Sequence, residues 1–407
     1  MRSKLGAAVI LGLVVAAAAT RAAERDPFDD PQWPNLDLGG PQWPNVKLDD
    51  AKAPRVNPQP AFVKPIEVEN RSSDHTSSIA AKSSSAPKPN PTVEGRDAYA
   101  SEVAKRWPAL PPEKPQPSPF VFEAGARYWY STGSINFGFS NGSPLFGSPT
   151  STLDWHGLTA HSGEVFARLD HMPSGFFVKG IFGAGTVVGG NIEDRDFLVG
   201  QFKFSDTTSN VSNGDLTYAM FDVGWAYSPS REIRLGFFAG YHYWREKVTA
   251  NGLVCNQDSF IGCSNGSILV DFNTPVGTYE PTWHAVRIGV ESKVWVDEHW
   301  SFSGEIAGIP YAALQNKDGH LLRQGMDDLG PAPNVITDSK YAYGVESELF
   351  VNYAVTPNIE IGGGVRYWGL ASRSGGVTFG PYFGVSDPLK NFDQQRYGVL
   401  LHVKGIF

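Results

Sequence analysis

Charge and cysteine are scarce in this chain of 407 residues: only 19% of them are Asp, Glu, Lys or Arg, and there are two cysteines. Two thiols exclude a disulfide-dense scaffold and a four-cysteine zinc site. The net charge of -8 exerts no overall pull toward nucleic acid. Past the N-terminus there is no apolar run of roughly 18 residues, so no later helix is expected to span a bilayer. What is plentiful is glycine (44), proline (30) and aromatic side chains. So many breakers exclude a helical bundle. Eleven Trp, 15 Tyr and 25 Phe exclude a chain disordered throughout.

Three regimes follow one another. Residues 1–23 read as an export signal: Arg2 and Lys4 precede an apolar run from Leu5 to Ala19, too short for a typical membrane span. Cleavage is expected after Ala17-Ala18-Ala19 or Thr20-Arg21-Ala22. Residues 24–118 are rich in Pro, Ser, Lys and Asp and lack apolar periodicity, which predicts a disordered periplasmic linker. The linker carries a repeat, Pro31-Gln32-Trp33-Pro34-Asn35 and Pro41-Gln42-Trp43-Pro44-Asn45. It is either a duplicated spacer or a contact to the cell wall or another periplasmic partner.

Residues 119–407 alternate with period two. From Leu235 to Trp244 one face reads Leu235, Phe237, Ala239, Tyr241, Tyr243; the other reads Gly236, Phe238, Gly240, His242, Trp244. At the C-terminal end Tyr397, Val399, Leu401, Val403 and Phe407 share one face, and Arg396, His402 and Lys404 the other. In an exported chain this is the lipid-out pattern of a membrane barrel. The final aromatic residue resembles the C-terminal assembly signal of bacterial outer-membrane barrels. Ten strand candidates start near Phe120, Leu153, Phe176, Asp215, Glu232, Tyr279, Trp300, Lys340, Asn358 and Gln394. Short turns alternate with long connections over about 134–151, 190–214, 250–278, 316–339 and 371–393. The expectation is a ten-stranded antiparallel transmembrane β-barrel of the outer membrane, loops outside and both ends in the periplasm; the competing fold is a soluble barrel or sandwich. Cys255 and Cys263, in the third long connection, are expected to form a small surface disulfide after export.

Two clusters in the long connections carry candidate chemistry. Asp194 and Asp196 are at i and i+2, so in extended chain they share one side and can share a water or a proton. Asp318 and His320 have the same spacing; a carboxylate beside a histidine fixes its tautomer and raises its basicity. In a ten-stranded ring these positions fall on opposite sides of the mouth. A solvated acidic surface and a calcium site are the other uses of such carboxylates.

The barrel region resembles the omptins, outer-membrane proteases with ten strands. Ser151-Thr152-Leu153-Asp154-Trp155 is similar to the family's Leu-Asp-Trp opening of the second strand. Gly190-Asn191 followed by Asp194-Arg195-Asp196-Phe197 resembles its Gly-Asn and Asp-x-Asp-aromatic. Leu216-Thr217-Tyr218, Gly240-Tyr241, Gly304-Glu305 and Val355-Thr356-Pro357-Asn358 recur in order, and Asp318-Gly319-His320 stands where the family has Asp-x-His. The resemblance implies an aspartate-type endopeptidase. Asp194 with Asp196 and Asp318 with His320 would be its catalytic pairs; they would hold a water that attacks the scissile bond without a covalent intermediate or metal. It also implies lipopolysaccharide as activator, bound on the outer wall by Tyr241, Arg245 and Lys340. Tyr241, Tyr243 and Arg245 share the lipid-facing side, where an aromatic belt with a snorkelling cation reads equally well. Two positions depart from the family. Gly133 stands at the strand-one acidic position, and Asn316 replaces the acid two residues before Asp318. Both belong to the pocket through which the family selects basic residues. The alternative function is non-catalytic, an envelope anchor or adhesin.

Overall fold

The alternation in the sequence becomes eleven antiparallel strands: β1 (Phe120–Phe139), β2 (Phe146–His171), β3 (Phe176–Leu198), β4 (Phe202–Ser230), β5 (Ile233–Cys255), β6 (Ile268–Trp295), β7 (Trp300–His320), β8 (Val335–Thr356), β9 (Ile359–Ser372), β10 (Gly376–Phe379) and β11 (Ser386–Ile406). The computed structural model describes residues 118–407 apart from 261, 381–383 and 385. The export signal, the linker and its repeat lie outside the described residues. Among those residues no helix is long and apolar enough to cross a membrane.

From β1 to β8 each strand pairs with its sequence neighbour, β9 and β10 lie between β8 and β11, and β1 closes the ring on β11 from Glu123–Ile406 to Phe139–Leu389. The wall is ten strands thick in circumference, as the sequence predicts. The four-residue β10 continues β9 in the same register: Ser372 faces Ala342 and Phe392, and Gly376 faces Asp338 and Pro388. The break at Arg373–Gly375 splits one strand in two.

The strands are 20 to 29 residues long except at β9, β10, about twice what a tilted span requires. Their lower halves carry an exposed apolar band, with Val165, Phe182, Phe221, Phe237, Ile288, Val290, Val399 and Leu401 pointing outward. Phe120, Phe176, Trp225 and Trp300 rim this band below; Tyr130, Tyr241, Tyr311, Tyr341 and Tyr397 rim it above. An apolar belt between two aromatic girdles is the surface a bilayer covers. The start of β1 lies beside the β2–β3 turn, where Met172 N–H donates to Pro119 O at 2.8 Å. Phe407 N–H donates to Phe122 O, also at 2.8 Å. Both ends of the barrel therefore share the short-turn side.

Above the girdle the strands run on through most of what reads as long connections. Only 140–145, 199–201, 256–267 and 321–334 remain between the long strands, and β10 interrupts the fifth. The reason is physical. Lipid no longer imposes an apolar outer face there, and register shifts such as Ser131–Ile135, His156–Thr159 and Ile309–Ala312 break period two.

The lumen is filled. In its lower half Arg366 is buried between Glu164 and Glu348, and Arg287 contacts Asp222 at 2.9 Å and Glu305 at 2.7 Å. Lys404 binds Glu123 at 2.8 Å and Glu360 at 3.1 Å. Buried charges persist only when paired in this way. Above them Trp129, Tyr218 and Trp368 pack edge to face, with Trp129 and Trp368 ring centres 4.6 Å apart, and Trp244 lies tilted against Trp368. Tyr279, Trp283 and Phe392 continue the stack toward the long-connection end of the barrel.

Candidate active site

In β3 the odd residues from Phe177 to Val187 face the lumen, whereas beyond Gly189–Gly190 the even ones do, beginning with Ile192. Gly190 has φ +145°, and a Cβ there would meet Leu158 Cδ2 at 2.8 Å and His156 O at 3.0 Å. Only glycine suits this backbone. The bulge thus turns Asp194 and Asp196 inward and sends Arg195 out, where its guanidinium pairs with Asp154 at 2.6 Å and with Glu193. Register places Asp194 between Leu153 of β2 and Thr207 of β4, and Asp196 between Ser151 and Ser205. The Ser151 hydroxyl reaches both carboxylates, and Ser205 reaches Asp196.

On the opposite wall β7 aims Leu314, Asn316, Asp318 and His320 inward. His320 Nε2 stands 3.2 Å from Asp318 Oδ2. Gly319 between them lies against β6; a Cβ would meet Thr278 Oγ1 at 2.5 Å. Asn334, fully buried, holds this strand end. Its Oδ1 accepts the His320 N–H at 2.8 Å, its Nδ2 donates to His320 O at 3.2 Å and Gly330 O at 2.9 Å, and its own N–H donates to Asp318 O at 2.9 Å.

The two clusters meet. Asp194, Asp318 and His320 line one cavity of about 410 Å³ at the long-connection end of the barrel. The Asp194 carboxyl is pushed up to about 8, first by burial, then by the neighbouring Asp196 charge. Its Oδ1 is buried without a hydrogen-bond partner. Burial also raises Asp196, against the hydroxyl of Ser151. His320 is raised to about 9, chiefly by the Asp318 charge, against the cost of burial. The arrangement can hold a proton between opposed groups and orient a small polar molecule at the unpaired oxygen.

Ser151, Ser205 and Asn334 are partners that sequence reading misses. Ser151 sits within the quoted second-strand motif, but only the register shows it opposite the acid pair. Gly133 faces Arg396, whose guanidinium fills the space a side chain would take: a Cβ would lie 2.9 Å from Arg396 Nη2. Asn316 is fully buried, and neither polar atom of its side chain has a partner.

On the outer wall Tyr241 points outward in the upper girdle. Arg245 binds Glu280 of β6 through Nε at 2.9 Å, and Lys340 is exposed on β8. Cys255 and Cys263 are bridged, with Cα atoms 5.8 Å apart. Both are buried rather than at the surface, and Cys263 forms part of the cavity wall, because the connection folds in over the mouth.

No family model matches this chain, and no curated protein does. Among solved structures, the outer-membrane protease OmpT from Escherichia coli is similar at 16% identity and a TM-score of 0.56, over 72% of this chain and 99% of that one. A FadL homologue from Pseudomonas aeruginosa and the toluene transporter TbuX of Ralstonia pickettii align at 9% identity, over 71% and 72% of this chain and 90% of each of theirs. Their TM-scores, 0.23 and 0.28, are too low to carry an argument. The first likeness establishes the fold: an antiparallel β-barrel of the outer-membrane kind.

Proposed function

We propose that this chain is an endopeptidase of the bacterial outer membrane, acting at the extracellular mouth of its barrel with the N-terminal segment in the periplasm. One observation carries the reading: Asp194 and the Asp318–His320 pair, from opposite walls, share a single cavity. A water held between Asp194 and His320 attacks the scissile carbonyl carbon. Its proton passes to His320 Nδ1, the ring nitrogen not engaged with Asp318, and from there to the leaving amine. Asp318 orients the ring and stabilises the imidazolium; Asp194 and Asp196 hold the water. At neutral pH His320 is mostly protonated, so the rate climbs as pH rises toward about 9. Lipopolysaccharide is the proposed activator, its phosphates recruited by Arg245, on the same strand as Tyr241, and by Lys340 of β8.

The test uses the barrel refolded in detergent with lipopolysaccharide, an unbiased peptide library and mass spectrometry. Wild type is expected to cleave and His320→Ala to be inactive. If a well-folded wild type cuts no peptide, the catalytic reading falls and the non-catalytic envelope anchor takes its place.

A further inference from the structure

We infer that the cavity beside Asp194 and His320 receives an uncharged, apolar side chain, so that peptides are cut beside residues such as Leu or Phe and not beside Lys or Arg. The inference rests on the protease reading above and names its substrate class.

Its wall comes from inward faces of several strands: Leu153 and Trp155 of β2, Ile192 of β3, Ala250 and Leu253 of β5, and Val276 of β6. A volume of about 410 Å³ is within the range of small-ligand pockets. Burying an apolar side chain against such a wall is favourable in proportion to the area removed from water. A lysine or arginine would need a free carboxylate there, because a buried cation is tolerated only when paired. Among the described residues the cavity offers two carboxylates, Asp194 and Asp318, and both belong to the chemistry. Asp318 is committed to His320 at 3.2 Å. Asp194 is engaged by the Ser151 hydroxyl and, in the proposed chemistry, by the attacking water. The remaining charged group is a cation, Arg323, which pairs with Asp328 at 2.7 Å. Paired with that carboxylate, it leaves no free anion for a substrate cation. The polar wall groups Ser205, Thr207, Ser209 and Thr278 are neutral.

The experiment uses the full chain refolded with lipopolysaccharide and a set of quenched fluorescent peptides that differ at one residue: Leu, Phe, Lys, Arg or Asp. Cleavage is read on wild type and binding by anisotropy on His320→Ala. The expected result is kcat/KM at least tenfold higher for Leu or Phe than for Lys, Arg or Asp, with binding in the same order. A preference for Lys, Arg or Asp overturns the inference. If nothing is cut, the protease reading fails by itself and the binding order decides: Leu and Phe above Lys upholds the pocket, and an equal or reversed order overturns it. Two variants each add a carboxylate to the wall, Ala250→Asp at a buried position and Leu253→Asp at a half-exposed one that tolerates charge. Either is expected to raise the Lys-to-Leu ratio at least tenfold; an unchanged ratio in a folded variant overturns the assignment.

Discussion

His320 and Asp318 form an ion pair across 3.2 Å at the end of β7, and the carboxylate is the main reason the imidazole holds its proton up to about pH 9. A folded-state value raised above the ordinary 6.5 stabilises the protein fully below that value, and the contribution fades as pH rises through 9. Removing the negative charge lets the proton go earlier. Asp318→Asn is therefore expected to move the rising limb of the pH–rate profile down by one to two units. It should also reduce the maximal rate by about 10²- to 10⁴-fold, the usual worth of an oriented base. A profile of kcat/KM against pH for both proteins checks this. A limb that stays in place excludes His320 as the base.

Asp194 stands in the opposite relation to stability. Its folded-state value of about 8 lies above the ordinary carboxylate value, so the folded barrel binds a proton that the unfolded chain releases. Stability then falls as pH rises between about 4 and 8. Asp194→Asn keeps the shape and removes the titration. It is expected to abolish cleavage while raising stability at pH 7 by about 1 kcal/mol or more, discounted because the residue is partly exposed. Urea unfolding at pH 5 and pH 8 measures it: the difference between the two proteins should grow with pH.

The sequence shows the wall plainly where lipid lies on one side and a packed lumen on the other. Leu235 to Trp244 and Arg396 to Phe407 keep strict alternation because both environments demand it. Higher up, water replaces lipid, and residues 190–214 read as a loop although nearly all of them are strand. The acid pair is legible because i and i+2 share a face. Which face is not, since the bulge at Gly189–Gly190 changes the parity of β3. Ser151 and Ser205 reach Asp196 only through the register of two neighbouring strands. Asn334 is hidden for the same reason: it acts through a contact to His320 across 14 residues of chain.

The Cys255–Cys263 bridge closes a short loop whose far end lines the cavity. Hydrogen bonds from Cys255 N–H to Ser267 O and from Asn256 N–H to Asp206 O, both 2.9 Å, anchor the base of that loop independently. In the chain-entropy view, opening so small a loop relaxes about 2.5 kcal/mol of constraint, confined to the rim. Cys255→Ser combined with Cys263→Ser, or wild type with reductant, is expected to leave the barrel folded. KM should rise severalfold and kcat change less than twofold. Steady-state kinetics with and without reductant distinguishes this from a structural loss, which would lower both.

Arg366 ties the lower lumen to the aromatic floor above. Its guanidinium pairs with Glu164 and Glu348 and lies 4.7 Å from the Trp129 ring centre and 4.9 Å from that of Trp368. Tyr218 closes the cluster by donating to Glu164 at 2.7 Å. Ten strands enclose a lumen narrow enough for side chains to fill, and with these groups crossing it wild type in a planar bilayer is expected to pass no ionic current. Arg366→Ala would leave the buried Glu164 and Glu348 carboxylates to share one cation, Arg127, at 3.8 and 3.3 Å, a loss of about 3–5 kcal/mol. Trp368→Ala removes a fully buried indole without stranding a charge, and costs about the same through the cavity it leaves. The two should therefore differ in rescue rather than in size. Adding Glu164→Gln to Arg366→Ala removes a charge that the lost guanidinium balanced and restores part of the stability, whereas adding it to Trp368→Ala takes from Arg366 one of its two partners and lowers stability further. Unfolding midpoints of the single and double variants decide the matter, and equal responses would remove the charge cluster from its structural role.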